Sequence, residues 1–318
     1  MMETAPRTAF DRLRFEWRQY VIYFGFVALF VVFAVTLNDQ GFTNSNNLLN
    51  IVRQTATISV MAVAMTFVIG AAEIDLSVGA VAGLASVVCA MALQSWGLVP
   101  GILVGLGIGV AVGVINGFLV VGIGIPSFLV TLGMLGIAHG TAQWITDSAP
   151  QPILNHDFNE WFGSGEIGPI PGLVVWTVVA VIIGHIVLRH TRFGRGTLAT
   201  GGNAEAARFS GVPAARIKFT VMLVSSAVAA IAGMLYAGRL ESGRFQWGEG
   251  DELSVIAAVI LGGTSLFGGR ASVIGALLGS LMIGLINNGL TLMGLEFSQQ
   301  QIVRGGIIIA AVALAPRD

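Results

Sequence analysis

Charge is scarce in this chain. Aspartate, glutamate, lysine and arginine make up 10% of its 318 residues, whereas soluble domains carry about 25%. A soluble protein of that size needs a charged surface, so a soluble enzyme is excluded. Lysine is scarcer still: fifteen of the sixteen basic residues are arginine and Lys218 stands alone. A Walker A loop needs a glycine loop ending in Lys-Ser or Lys-Thr to hold phosphates and Mg²⁺, but Lys218 lies between Ile217 and Phe219. If ATP drives this protein, another subunit binds it. The single cysteine, Cys89, excludes a disulfide framework and a zinc centre of the Cys-cluster kind. His139 and His185 have no His, Cys or carboxylate at ligand spacing, so no metal site is expected.

Apolar residues and glycine take the place of charge. Hydrophobic residues are 55% of the chain, 43 residues are glycine, and the mean hydropathy is +0.83. Crossing the ~30 Å hydrocarbon core takes about 20 mostly apolar residues. Ten stretches approach that length: 20–37, 53–71, 76–94, 98–121, 125–146, 171–189, 219–238, 253–269, 272–293 and 300–315. They lack the polar stripe of a soluble amphipathic helix. The expected fold is all-α and polytopic, with about ten transmembrane helices. Residues 1–19 are basic, but the run after them is of span length without a small-residue cleavage site, so a cleaved signal peptide is not expected.

Basic residues favour the cytoplasmic side. With ten spans and the N-terminus inside, Arg7, Arg12, Arg14, Arg18, Arg189, Arg192, Arg195, Arg208, Arg216, Lys218, Arg270 and Arg317 all fall inside. Arg53, Arg239, Arg244 and Arg304 are left outside, three of them in or at the ends of spans. Both termini are therefore expected in the cytoplasm. The chain divides into an N-terminal cytoplasmic segment, 1–19, and one transmembrane domain, 20–316. That domain has an inside loop at 190–218 and an outside loop at 147–170.

Two sequence patterns bear on packing. Gly101, Gly105, Gly109, Gly113 and Gly117 recur every fourth residue, and Gly275 and Gly279 repeat the spacing. Small residues so placed let helices approach closely in lipid; helix sliding during transport is the alternative use. Asp75-Leu76-Ser77-Val78 with Asn116-Gly117, and Glu252-Leu253-Ser254-Val255 with Asn288-Gly289, stand at matching places in two halves. The first set falls inside and the second outside, as an inverted repeat of spans 2–5 and 7–10 would place them.

Within loop 190–218, Asn203 is a fair N-cap and Glu205 lies in the first turn, where the helix dipole favours acid. Gly211 and Pro213 then stop the helix. The spacing predicts a two-turn helix between spans six and seven. A positive-inside loop explains the arginines around it but not a capped helix in its middle.

Here the sequence resembles a known family. Glu205-Ala206-Ala207-x-x-x-Gly211 is similar to the E-A-A-x-x-x-G loop of permeases in binding-protein-dependent ABC importers. The stretches Glu73–Gly79, Asn116-Gly117, Ile125–Gly133, Gly201–Val212 and Leu261–Arg270 resemble one branch, the ribose-type sugar permeases, over about residues 45–315. The first motif departs from the family, with Ala72-Glu73 where two glycines are usual. The resemblance implies a multi-pass protein of the bacterial inner membrane that is not itself an enzyme. Sugar, a ribose-like pentose or a related small polyol, would arrive from an extracytoplasmic binding protein. ATP and Mg²⁺ would sit on separate ATP-binding subunits, and this chain would need no cofactor. It implies that Asn203, Glu205, Ala206, Ala207, Arg208, Gly211 and Pro213 form a coupling helix seated in a groove of the ATPase. The pathway would open by alternating access between two permease copies, identical or paralogous.

Polar residues within spans usually face a cavity or another helix. Asn116, Thr131, His139, Gln143, Asn287 and Asn288 are such residues, and Phe128 offers an apolar face to a sugar. Asp75 and Ser77 either cap the third span or form a cytoplasmic gate. Arg53, Arg239 and Arg244 either meet acidic residues of a binding protein or snorkel to lipid phosphate. Three rivals remain. A branched-chain amino acid permease would favour fixed charge in the pathway. An ion-coupled secondary transporter would need a mid-span carboxylate, which the pattern does not show. An intramembrane enzyme would need a nucleophile–base pair, which Cys89 and the scattered histidines do not offer. Nucleic acid is not an expected partner.

Overall fold

A computed structural model of the chain describes residues 9–314. Expectations for residues 1–8 and 315–318, including Arg7 and Arg317, lie outside the described residues. The helices are α1 (Ala9–Thr36), α2 (Ser45–Gly70), α3 (Val78–Trp96), α4 (Leu98–Phe118), α5 (Ser127–Ile145), α6 (His156–Asn159), α7 (Gly172–His190), α8 (Arg192–Gly202), α9 (Ala204–Phe209), α10 (Ala214–Arg239), α11 (Asp251–Leu261), α12 (Val273–Leu292) and α13 (Phe297–Leu314). A π-helical turn at Leu119–Ile123 prolongs α4. Seven of these, α2, α3, α4 with its π turn, α5, α7, α10 and α12, are long and apolar enough to cross a membrane. The chain is a polytopic membrane protein.

The ends of the helices define two faces. One carries two short antiparallel pairings, β1 (Gln151–Pro152) with β4 (Ser242–Gly243) and β2 (Glu166–Ile167) with β3 (Ile170–Pro171). On this hairpin face Trp96, Trp144 and Trp161 are exposed, as interfacial tryptophans are. The opposite face carries α8 and α9. α2 ends there, with Gly70 against Thr197 and Leu198, and α10 begins there, with Ile217 against Gly196. At its other end α10 brings Gly238 and Arg239 against Gly163, on the hairpin face. α2 and α10 are therefore antiparallel.

Packing follows the glycine stripe. Gly101 and Gly105 meet Leu93 and Cys89 of α3, while Gly109, Gly113 and Gly117 meet Ala230, Leu223 and Phe219 of α10. Close helix packing is thus what the stripe does. Gly275 and Gly279 do the same for α12, against Gly262 and Ala258 at the end of α11. α10 packs on α3 and α4, α2 packs on α11 and α12, and α2 and α10 touch each other. α2 and α3 form the buried centre, while α5 and α7 expose most of their surface.

Ten spans were expected, and the runs 20–37, 253–269 and 300–315 are not among the seven. The apolar run 253–269 is not a continuous helix: α11 has 11 residues and rises ~16 Å, about half the hydrocarbon core. Gly263, Gly268 and Gly269 have φ of +83°, +82° and +78°. Those left-handed values end the helix and turn the chain back toward α12.

Two irregular segments enter the helix bundle from opposite faces. Residues 71–77 lead from α2 at the α9 face to the head of α3. Residues 244–250 run down α3 from the hairpin face, with Phe245 and Trp247 carbonyls against Gly83 and Gly248 against Gly79. The heads of α3 and α11 meet there. Non-helical backbone at such depth is stable only when buried in protein or lining a cavity.

Candidate functional site

The predicted two-turn helix is present as α9, preceded by an unforeseen helix, α8. Each has its own cap. Thr191 Oγ1 accepts from Gly194 N–H at 3.2 Å, and Asn203 Oδ1 accepts from Ala206 N–H at 2.9 Å. α9 closes with Gly211 N–H donating to Arg208 C=O at 3.0 Å and Val212 N–H donating to Ala207 C=O at 2.9 Å. This pair of bonds is a Schellman stop, and Gly211 supplies its left-handed residue at φ +81°. Glu205 in the first turn and Arg208 in the last both suit the helix dipole. Pro213 stands at the N-cap of α10.

The result is a rigid, six-residue helix offered outward. Only Ala207 is buried, while Glu205, Ala206, Arg208, Gly211 and Pro213 are exposed. Sequence reasoning missed Phe209, which is 86% exposed. A large aromatic left bare beside Arg208 was the signal. Beside α9, a groove of about 620 Å³ runs between α8 and α10, edged by Arg192, Arg195 and Arg216 and floored by Phe193, Val212 and Ile217.

Behind α9 the backbone is packed without side chains between. Gly201 lies against the Gly70 carbonyl, and Gly269 N–H donates to that same carbonyl at 3.1 Å. Ala72, one of the two residues replacing family glycines, holds φ +60°. The close contact survives this replacement because Gly268 is the partner against Ala72.

Segment 71–77 is held by side chains. Ile74 N–H donates to Ser127 Oγ at 3.1 Å and Leu76 N–H to Thr131 Oγ1 at 3.0 Å. Asp75 Oδ1 accepts from Ser77 N–H at 2.9 Å and from Ser77 Oγ–H at 2.6 Å. Asn116 Nδ2 donates to Ser77 Oγ at 3.2 Å. The structure thus brings Asp75, Ser77, Asn116 and Thr131 into one buried network, all at 0% exposure. Ser77 is the N-cap of α3, but its hydroxyl turns back to Asp75 and makes no capping bond to the helix. Asp75 also faces the Ser225 hydroxyl of α10, and Asn116 Oδ1 makes no hydrogen bond among the described residues. Ser127 belongs to this network, and its place at the head of α5 was the missed signal. The sequence pattern showed no carboxylate within the bundle; Asp75 is one, because an irregular segment carries it inward.

The other candidates lie elsewhere. Asn288 pairs reciprocally with Asn47 of α2, with Nδ2–Oδ1 distances of 3.0 and 2.8 Å. Asn287 is half-buried on the same helix. Phe128 is 48% exposed and takes no part in the Asp75 network. His139 meets the edge of Phe245 at 5.3 Å, while Gln143 is exposed. At the hairpin face Arg53 pairs with Glu166 at 2.5 Å, and Arg239 is half-buried. Arg244 is exposed and lies 5.4 Å over the Trp247 ring.

This is the build of a multi-pass membrane protein with one capped, exposed short helix and a buried polar network at the head of α3. Residues 47–312 match the family described as branched-chain amino acid transport system / permease component, and the chain belongs to that family. It is 40% identical over 293 residues to the probable ABC transporter permease protein YphD of Escherichia coli (strain K12), covering 90% of this chain and 88% of that one. With the ribose import permease protein RbsC of Bacillus subtilis (strain 168) it shares 39% identity over 292 residues, 91% of each chain. With the L-arabinose transport system permease protein AraH of Escherichia coli (strain K12) identity is 34%, over 97% of this chain and 93% of that one. No solved structure matches the chain significantly.

Proposed function

We propose that this chain is the membrane-spanning subunit of an ATP-driven, binding-protein-dependent sugar importer, with a ribose-like pentose or related small polyol as cargo. The observation that carries the reading is α9: a capped, exposed six-residue helix, half of it alanine, in a chain whose relatives include ABC permeases. α9 would seat in a groove of the ATP-binding subunit, with Glu205, Ala206, Arg208, Gly211 and Pro213 as the coupling surface and Asn203 fixing its start, while Ala207, expected on that surface, is buried and packs the helix onto its own chain. ATP and Mg²⁺ belong to that subunit. Phe209 adds an apolar anchor of the kind that dominates interfaces.

The arginines of the α9 face support a cytoplasmic placement and the tryptophan-rich hairpin face an extracytoplasmic one. On this reading both termini are cytoplasmic, segment 1–19 precedes a single transmembrane domain of residues 20–316, and ten membrane segments result. α11 with its glycine return is one of the ten. The matched packing and antiparallel course of α2–α5 and α10–α13 support an inverted repeat. Segment 71–77 with Asp75, Ser77, Asn116 and Thr131 would be the inner gate. Phe128, Asn287 and Asn288 remain candidates for the path at the interface with a second permease copy or paralogue. Of the three outer arginines, Arg244 is best placed to meet a binding protein, because Arg53 is engaged by Glu166.

The test is a pull-down of the tagged chain in mild detergent, with co-purifying proteins identified by mass spectrometry. A P-loop ATPase is expected with the native chain. It should be lost with Glu205→Trp combined with Gly211→Val, at unchanged abundance in the membrane. Solute movement down an ion gradient by a chain that recovers no ATPase would overturn the reading.

A further inference from the structure

The lone lysine and the glutamate that departs from the family motif form an ion pair. Lys218 Nζ lies 2.5 Å from Glu73 Oε1, with the two side chains 30% and 8% exposed. Glu73 stands at the entrance of segment 71–77, just before Asp75. Its own N–H donates to Val68 C=O of α2 at 3.0 Å. Lys218 stands near the start of α10, shortly after the Gly211–Pro213 stop of α9.

Three observations make this pair more than surface charge. First, α8 meets Gly70 through Thr197, Leu198 and Gly201, and α10 sets Ser225 beside Asp75, but Lys218 on Glu73 is the one ion pair that these helices make to segment 71–77 among the described residues. The other contacts carry no charge on the helix side, whereas this one is specific in charge and short in reach. Second, the carboxylate is buried, so separating it from Lys218 leaves an uncompensated charge in a low-dielectric site. The pair therefore resists being pulled apart. Third, the segment it grips is held from its far side by Ser127 and Thr131 of α5. A shift of the base of α10 draws Glu73 with it and strains the Asp75–Ser77–Asn116 network behind.

From this geometry we infer that Glu73 and Lys218 are a positioning pair, a latch that passes movement of α9 and α10 to the buried polar segment at the head of α3. The inference rests on α9 being the coupling helix. Neither residue touches cargo or nucleotide; both act through the segment that carries Asp75.

The experiment uses the complete importer, this chain with its ATPase in proteoliposomes and its binding protein as purified. Glu73→Gln and Lys218→Gln should keep basal ATP hydrolysis and the amount of ATPase bound, yet lower binding-protein stimulation about tenfold, within the usual range of inter-site coupling. Glu73→Asp should retain most of the stimulation, and the exchange E73K with K218E should restore it. In a Cys89→Ala background, E73C with K218C should also lose stimulation. A short, reducible thiol cross-linker should then return it, because a covalent tether replaces the ionic one, and reduction should remove it again. Stimulation that stays within about twofold of native in Glu73→Gln overturns the latch. So does a loss that neither the charge exchange nor the tether repairs. An importer that recovers no ATPase with the native chain defeats the coupling reading itself, whereas bound ATPase with full stimulation in Glu73→Gln defeats only the latch.

Discussion

The segments α2–α5 and α10–α13 share a packing scheme and differ in what fills it. In each, the first helix leaves its own segment to pack on the other: α10 on α3 and α4, α2 on α11 and α12. In each, glycines at four-residue spacing on the third helix allow close approach. The second helices diverge. α3 runs 19 residues behind a seven-residue entry held by hydroxyl side chains, whereas α11 runs 11 and ends in a glycine turn. Helix crossings are set by the small residues, and the polar contacts are free to differ between halves.

The largest expected effect therefore comes from filling the crossings. A Cβ at Gly109 would sit 2.5 Å from Ala230 Cβ and Ser226 C=O, and one at Gly279 would collide with the Ala258 carbonyl. Gly109→Val and Gly279→Val should each destabilise the protein by about 3 kcal/mol, the upper end for overpacking, because backbone cannot move aside as a side chain can. Gly107 has nothing within 4 Å of its Cβ position, so Gly107→Val is the matched control. Thermal unfolding in detergent, followed by size-exclusion fluorescence, should show two large losses and one near-native variant. Equal losses at all three sites would mean that general helix stiffening, not the crossings, dominates.

A smaller effect separates the polar fillings. Thr131→Val leaves the Leu76 N–H without its acceptor inside the bundle, which costs about 1–3 kcal/mol. Ser254 matches Ser77 in the repeated sequence motif but lies inside α11, and its hydroxyl has no hydrogen-bond partner among the described residues. Ser254→Ala should therefore change stability by only about 0.5 kcal/mol. Hydrogen exchange should quicken around 74–77 in Thr131→Val and stay native in Ser254→Ala. A larger loss at Ser254 than at Thr131 would break the distinction between the halves.

Much of this was legible in the sequence, for identifiable reasons. Long apolar runs without charge locate helices well: nine of the ten expected stretches fall on helices, α1 and α2 starting earlier, and seven of those helices are long and apolar enough to cross a membrane. The run 253–269 misled because hydropathy registers glycine as neutral, while the left-handed turn at Gly263 is a backbone property. The cap of α9 was legible because Asn203, Glu205 and Gly211 act on neighbours in the chain. The Asp75 network was legible only as separate polar residues. Its assembly depends on segment 71–77 being brought beside α5 and α4, and no local pattern encodes that approach. The Glu73–Lys218 pair joins residues far apart in sequence, and its trace was a departure from a motif together with a residue type used once.

A last contrast concerns the amide pair that joins α2 directly to α12, alongside the buried Ser59–Ser280 hydroxyl contact at 2.7 Å. Asn116 and Asn288 occupy matching places in the sequence, followed by Gly117 and Gly289, yet their partners differ. Asn116 reaches Ser77 within its own segment, while Asn288 and Asn47 exchange amides across segments. Two amides in mutual contact satisfy each other, and removing one leaves the other's donor and acceptor exposed to an apolar surround. Asn288→Leu should thus cost about 1 kcal/mol, and so should Asn47→Leu. The double variant should lose less than the sum, because both polar groups leave together and an apolar contact replaces them. A coupling energy near 1 kcal/mol in that cycle would mark the pair as a specific tie between the segments. Additive losses would mean that the Ser59–Ser280 contact and the glycine crossing at Gly284 and Thr55 hold α12 to α2 without help from the amide pair.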